Sequence, residues 1–462
     1  MITGTGTQQD PFCPETWEEI LECTVTDDVY TLFPLVLSKT ADTSIIAGKR
    51  YFYANGEEVS EPTASQLDNY YENSFTVDFN DYYPTGVTEE ILFRGYIDGR
   101  DAKILNVFYD GATCVFRMSN PQNGIIKSLH FINMWIIEAA SKEGVWYTSL
   151  FRCPGNAYSA PSGRVFEYCS FAGRLESAAV ATGGSASEHY RCSYNFELVR
   201  GAAIAANRND GHGVLLTDCD ITVHGLDNGT IYCGRPVNSY IHGSMNGIEL
   251  SGVGSNSIID LSNLTSVARV NGTPTRILVN LDKYSGGSLR SGFVGVTTSQ
   301  LMDVSYLQGI GFPIDDGTTG WTMGVDNFPT NVNFVEAPKN VWITPLPYIA
   351  WNIDPLVNNG YPYKGVFLDM PEYAIEGEGP KALWRIDLDV SDHPYIELPP
   401  EIPAFGAFAN ANNLVYVKIP ATVQKLGDQV FTNTKLRNVI ISSNCTFSDT
   451  TFPPGCQVDY YE

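Results

Sequence analysis

Phe166-Glu-Tyr-Cys-Ser-Phe171 and Leu216-Thr-Asp-Cys-Asp-Ile221 share one spacing: an apolar residue, two others, a cysteine, one other, an apolar residue. The same spacing recurs in Ile126-x-x-Leu129-x-Phe131, Val237-x-x-Tyr240-x-His242 and Leu301-x-x-Val304-x-Tyr306. Aligning Leu129, Cys169, Cys192, Cys219, Tyr240 and Ile259 gives successive steps of 40, 23, 27, 21 and 19, with 45 more to Val304. The short steps are single turns; the 40 and 45 are two turns or a turn with an insertion. Alternation of period two marks a strand with one buried face, and its recurrence at about 20 residues marks stacked strands. The expected fold is all-β, a right-handed parallel β-helix over 94–325 of about ten turns, spaced ~4.8 Å. Gly201, Gly211, Gly213, Gly225, Gly229, Gly234, Gly243, Gly247, Gly252 and Gly254 are the expected corners. The turn around Cys192 fits least well, because His189 falls in its apolar slot.

Composition agrees with this. The 462 residues are 43% hydrophobic and only 17% charged, with 42 glycines and 26 tyrosines. The 52 acidic residues outnumber 28 basic ones for a net charge of −24, which argues against a nucleic-acid or acidic-membrane partner. The start, Met1-Ile-Thr-Gly-Thr-Gly-Thr-Gln, has no basic region or apolar run of a secretory signal, and no stretch approaches a membrane span. The expectation is a chain made in the cytoplasm that stays soluble, with no membrane insertion. Ten cysteines form no C-x-x-C pair and no zinc spacing. Cys169, Cys192 and Cys219 share one register position and read as small apolar residues inside the helix. Cys13 with Cys23, and Cys445 with Cys456, can pair if oxidised; free thiols are expected.

Residues 1–93 read as an N-terminal cap and first strands. Thr16-Trp-Glu-Glu19 starts a short helix with a threonine N-cap, suited to lie across an open first rung. Arg50-Tyr-Phe-Tyr-Ala-Asn-Gly-Glu-Glu58 reads as a hairpin with an Asn-Gly turn. The segments from Phe75 and from Ile91 read as the first strands of the rod.

The opening Gly4-Thr-Gly-Thr-Gln-Gln-Asp-Pro11, the Thr16-Trp-Glu-Glu helix, Thr76-Val-Asp-Phe-Asn-Asp81, Tyr96-Ile-Asp-Gly-Arg100 and Ile126-Lys-Ser-Leu-His-Phe-Ile-Asn133 carry a resemblance. Over about 1–135 the chain resembles β-helical proteins of tailed bacteriophages and prophages. The resemblance implies a virion protein of the head surface or tail, folded like a pectate lyase without necessarily sharing its activity. From about Asn327 prolines and tryptophans become frequent, so 326–395 reads as a connecting module containing degenerate repeats or none. Leu398, Ile419 and Ile441 are 21 and 22 apart, with Phe408, Phe431 and Phe452 following. This line resembles BspA-like leucine-rich repeats over 396–462, which implies a binding module.

The candidate chemistry is sparse. Asp218 and Asp220 flank Cys219 and are expected to point outward as a carboxylate pair of the kind glycoside hydrolysis needs. Asn209-Asp-Gly-His-Gly213 contains the Gly-His-Gly of polygalacturonases, but that family's paired Asp-Asp and its Arg-x-Lys have no counterpart, so a corner is the preferred reading. His224-Gly225 and His242-Gly243 read as stacked side chains. Asp315-Asp316-Gly317 and Asp387-x-Asp389 read as solvated turns, since neither continues into a calcium loop. Trp321, Trp342, Tyr348, Trp351, Tyr361, Tyr363 and Trp384 are core residues first and a sugar platform second. The expectation is no catalytic, cofactor-binding or metal-ligating residue and no cofactor. A binding-type module without signal or anchor points to a phage structural protein, a head fibre, capsid decoration or tail fibre. Its partners are other virion proteins of capsid or tail and a host-surface or mucosal glycan or protein. It assembles in the host cytoplasm as a homo-oligomer, such as a trimer, and ends on the virion surface. The rivals are a virion-borne polysaccharide depolymerase and a bacterial surface adhesin.

Overall fold

A computed structural model describes residues 2–335, except 47, 84–86, 112, 119–123, 139–147, 154–162, 177, 184–186, 200–201, 207–213, 226–229, 251–253, 270–272, 325 and 334; beyond them it describes 385–387, 401–402, 416–419, 423–431, 436 and 438–461. The chain is mostly β, with extensive parallel sheets. It divides into two compact units, 1–78 with 87–339 and 79–86 with 340–462.

In the first unit the chain passes repeatedly through three strands. Gly163–Glu167, Ser170–Glu176 and Ala179–Gly183 make one turn; Ser187–Tyr190, Ser193–Val199 and Ala203–Ala206 make the next. Each strand pairs in parallel with its counterpart one turn on. The first series runs through ten strands, from Tyr30–Leu32 to Phe293–Val296. The third strands stack separately as an eight-stranded sheet. The interior is apolar and aromatic: Phe131, Phe171 and Tyr194 are buried and stack at 5.3 and 5.2 Å, and Ile221, Ile241 and Ile259 continue their column.

Between the first and second strands sits a corner repeated in register. Ser128, Tyr168, Arg191, Asp218, Asn238, Asn256 and Arg276 all adopt left-handed φ between 47° and 57°. Asn and Asp tolerate this conformation; Tyr and Arg do so at a cost that the stack offsets. The offset is visible in the backbone, where Tyr168, Arg191, Asp218 and Asn238 N–H donate to carbonyls of Tyr190, Thr217, Val237 and Ser255 on the following turn. Most corners of this series therefore do not need glycine. Of the glycines expected at corners, Gly234 and Gly254 do lie at one, the corner leading into the next turn's first strand. Gly225, Gly243 and Gly247 lie within strands, and Gly201, Gly211, Gly213, Gly229 and Gly252 lie outside the described residues.

Just after the corner runs a column of small buried side chains, and here the alignment drawn from sequence needs correction. Leu129, Cys169, Cys192 and Cys219 are in register as expected, but Cys219 is followed by Ser239 and Ser257, not by Tyr240 and Ile259. Cys219 N donates to Ser239 Oγ at 3.0 Å, Ser239 N donates to Ser257 Oγ at 3.0 Å, and Ser239 Oγ donates to Leu216 O at 2.8 Å. An apolarity match rejects serine at a core position, whereas the corner accepts any small side chain whose polar atom the backbone satisfies. His189 does occupy an apolar slot, in register with Phe166 and Leu216.

The proposed rung Leu301-x-x-Val304-x-Tyr306 is instead helical, Thr298–Leu301 followed by Val304–Gly309. Thr297 and Gln300 form a capping box and Asp303 caps the second helix. Apolar residues three apart fit a helix as well as a strand, and the caps decide between them. Leu301, Leu307, Phe312, Ile314 and Trp321 pack against Tyr240, Ile258, Leu278 and Val296. Because Ile241, Ile259 and Val279 point inward, Tyr240, Ile258 and Leu278 belong to the outer face, so residues 298–323 form a strap across its side.

At the other end Gly4 (φ 89°) and Gly6 (φ 77°) close a loop against Pro11 and Phe12, and Phe12 bridges Thr31 in parallel. A Cβ on Gly4 would lie 2.0 Å from Pro11 O, which explains the glycines of the opening motif. The helix Trp17–Cys23 forms with Thr16 as N-cap and buries Trp17, Ile20 and Cys23, with Trp17 near the Phe93 ring. Residues 33–75 leave the stack after Tyr30–Leu32 and return at Thr76–Asp78, with a small core of Tyr51, Val59, Leu67 and Tyr70. The Asn55-Gly56 turn lies here, with Gly56 N–H donating to Tyr53 O.

In the second unit Arg385–Asp387, Tyr416–Lys418, Asn438–Ser442 and Gln457–Tyr461 form a parallel four-stranded sheet. Lys418 pairs with Ile440, the same step of 22 read between Ile419 and Ile441. Among the described residues from 385 onward there is no helix opposite these strands. Leu398, Phe408 and most of the 326–395 module lie outside the described residues.

Candidate functional site

The outer face of the second-strand series holds the polar chemistry. Register places His130, Ser170, Ser193, Asp220 and Tyr240 in one column, Asn195, Thr222, His242, Asp260 and Asn280 in the next, and Trp135, Arg174, Glu197, His224 and Ser244 in a third. Strand alternation dictates the columns: each lies two residues from its neighbour, with an inward apolar residue between.

Asp220 and His242 are the centre of this face. His242 Nε2 lies 2.7 Å from Asp220 Oδ1 and 3.0 Å from Thr222 Oγ1, and its ring stacks on Tyr240 at 4.4 Å. The His242 side chain keeps 25% exposure, so it is the group of this pair that an outside molecule can reach. Asp260 beside it is buried and fully engaged: Tyr240 OH donates at 3.0 Å, Asn280 Nδ2 at 2.6 Å, and Lys283 Nζ lies at 3.1 Å. Burial, reinforced by Asp260, pushes the Tyr240 phenol far up, so it stays a donor. Burial and the nearby His242 lower His224 to about 4, so that imidazole is neutral at pH 7. In the third column the Arg174 guanidinium sits 5.1 Å from the Trp135 ring centroid.

The pair expected from sequence is divided. Asp218 is at the left-handed corner, where Asn238 Nδ2 donates to it at 3.3 Å and Arg191 Nε lies 3.6 Å away, whereas Asp220 faces His242. Burial raises the Asp218 carboxyl despite those partners. His224 and His242 are also not stacked on one column: His224 pairs in register with Ser244, and His242 with Thr222 and Asp260. Asp316 binds its own turn, accepting from the N–H and hydroxyl groups of Thr318 and Thr319, which holds it near 2 although burial acts against this. Trp321 is a core residue. Asn209–Gly213, Asp389, Trp342, Tyr348, Trp351, Tyr361, Tyr363 and Trp384 lie outside the described residues.

Sequence reasoning missed Trp135, Arg174, Glu197, Asp260 and a second group, Asp101, His130 and Ser170. His130 Nδ1 shares a 2.8 Å hydrogen bond with Ser170 Oγ, and His130 Nε2 is 3.3 Å from Asp101 Oδ1. These are the residue types of a nucleophile, base and carboxylate. The geometry does not support that chemistry, because Ser170 is 1% exposed and no substrate reaches its hydroxyl. The usable signal was the alternation itself, which puts His130, Ser170 and Ser193 just before the inward Phe131, Phe171 and Tyr194. Among the described residues no group of three or more His, Cys, Asp or Glu could hold a metal ion. No family model, curated protein or solved structure matches this chain.

Proposed function

We propose that this chain is a structural protein of a tailed-phage particle, a head decoration, head fibre or tail fibre component. In this reading its stacked turns are a right-handed parallel β-helix and 396–462 is a leucine-rich-repeat binding module of BspA type. The observation that carries it is the continuous parallel stack, whose inside is filled by Phe116, Phe131, Phe151, Phe171 and Tyr194. The resemblance over 1–135 adds the phage context, and the opening Gly-Thr-Gly-Thr loop that carries part of it has a structural task in closing the first turn. A net charge of −24 supports protein or neutral-glycan partners over nucleic acid. Among the described residues no helix is long and apolar enough to cross a membrane. The proposed assembly is a homotrimer on the virion surface with capsid or tail partners.

Mass spectrometry and labelling microscopy of purified virions test this. The protein on the particle, at head or tail, is the expected result; its presence only in the lysate overturns it. Light scattering of the purified chain tests the trimer.

The Asp220 to His242 pair favours one second reading, cleavage of a polysaccharide on the outer face. His242 would move the proton and Asp220 would orient it. New reducing or unsaturated ends from host capsule, lost in His242→Ala, are the expected products; capsule left intact by the wild type removes this reading.

A further inference from the structure

The corner of the second turn departs from all the others. Between Asp98 and Ala102 the strand Tyr96–Leu105 carries two residues more than its neighbour Ile125–Glu138, in which Lys127 and Leu129 are the partners. Arg100 and Asp101 take consecutive left-handed conformations, φ 52° and 61°, where other turns use one such residue. Two adjacent non-glycine residues in this region are strained and persist only where contacts hold them. The contacts come from the insertion 33–75. Arg50 N–H donates to Asp101 Oδ2 at 2.6 Å, Arg50 Nη1 pairs with Asp98 at 2.5 Å, and Asn73 Nδ2 donates to Arg100 O at 3.1 Å.

We propose that Asp101 is an acid-sensitive latch: as a carboxylate it fastens the insertion 33–75 to the strained corner, and on protonation it releases the insertion while the stacked turns stay folded.

The titratable and charged groups around it are few. From the insertion Arg50 faces it, itself bonded to Glu58 at 2.9 and 2.6 Å. From its own turn Asp98 and Arg100 lie beside it, and from the next turn His130 Nε2 lies 3.3 Å from Oδ1. Within the insertion, Lys49 pairs with Asp42 and Glu72. Burial raises the Asp101 carboxyl, but His130 and the Arg50 amide outweigh it and leave it below the ordinary carboxylate range. A group depressed in the folded state stabilises above its unfolded value near ~3.9 and loses that contribution as pH falls through the folded one. Opening therefore belongs below about pH 4. A protonated Asp101 loses its charge-assisted bond to Arg50 N–H. The strands Ser193–Val199 and Asp220–Gly225, by contrast, hold through backbone pairing and the buried Tyr194, Phe196, Ile221 and Val223.

Hydrogen exchange read by mass spectrometry on the full chain tests this, with intrinsic rates corrected for pH. At pH 7, Asp101→Ala is expected to raise exchange across 37–73 at least tenfold while 193–199 and 220–225 keep wild-type protection. In the wild type, 37–73 is expected to open at a higher pH than those strands. Unchanged protection of 37–73 in Asp101→Ala overturns the proposal. Should that variant not fold, the wild-type titration decides alone, and simultaneous opening of insertion and stack overturns it.

Discussion

His189 offers the sharpest test of how the interior is built. It lies fully buried in a slot filled by Phe166 one turn before and Leu216 one turn after, edge-on to the Phe166 ring at 4.7 Å. Its Nδ1 shares a 2.6 Å hydrogen bond with Tyr194 OH, and burial lowers its pKa to about 3. An unfolded histidine titrates near ~6.5, so below that pH the unfolded chain takes up a proton that the folded one refuses. Stability is then lost as pH falls from ~6.5 towards 3. At pH 5, roughly 1.5 below the unfolded value, the unfolded side chain is protonated and the folded one stays neutral, a loss of about 2 kcal/mol at ~1.4 kcal/mol per pH unit. Denaturant unfolding of wild type and His189→Leu at pH 7.5 and pH 5.0 isolates this, since carboxylates elsewhere contribute equally to both proteins. The variant carries its own cost at both pH values, because Tyr194 OH loses a partner. Its decline between them is nevertheless expected to be about 2 kcal/mol smaller than that of the wild type. Equal declines would show that His189 is protonated or hydrated in the folded state and would refute the dry interior inferred for this turn.

Packing predicts three further effects. Ser239→Ala removes the acceptor of Cys219 N–H and is expected to cost about 1–3 kcal/mol in denaturant midpoint analysis, whereas Ser239→Cys, matching the preceding turns, costs less. Gly243→Ala puts a Cβ 2.1 Å from Val223 O at φ 111°; strain and overpacking together are expected to cost about 3 kcal/mol, measured the same way, and a change within ~0.5 kcal/mol refutes the close approach. Trp321→Ala empties the strap's largest buried side chain at about 3–5 kcal/mol, with faster hydrogen exchange expected over 298–323 and little over 220–225.

Much of the fold was legible because a stacked structure repeats its local chemistry. The steps of 23 and then 27 through Cys169, Cys192 and Cys219 are the register itself, and the cap at Thr16 and the turn at Asn55-Gly56 are local signals that no tertiary contact overrides. The failures share a cause. Ser239, Arg191 and Tyr168 take places that an apolarity or glycine rule denies them, because stacked backbone groups satisfy the hydroxyl and offset the left-handed strain. Leu301 to Tyr306 matched the strand spacing by coincidence with helical spacing.

By itself the sequence determined the class of fold and its approximate period, since alternation and repeat length follow from side chains meeting the same environment every turn. Only the tertiary structure decided which residues meet across turns. Asp220 finds His242 22 positions away, Asp101 finds Arg50 within the insertion 33–75, and both pairings depend on the register that the corners set. A one-residue slip moves a side chain from the interior to the outer face, so the site became visible only once the hydrogen-bonded register was in place.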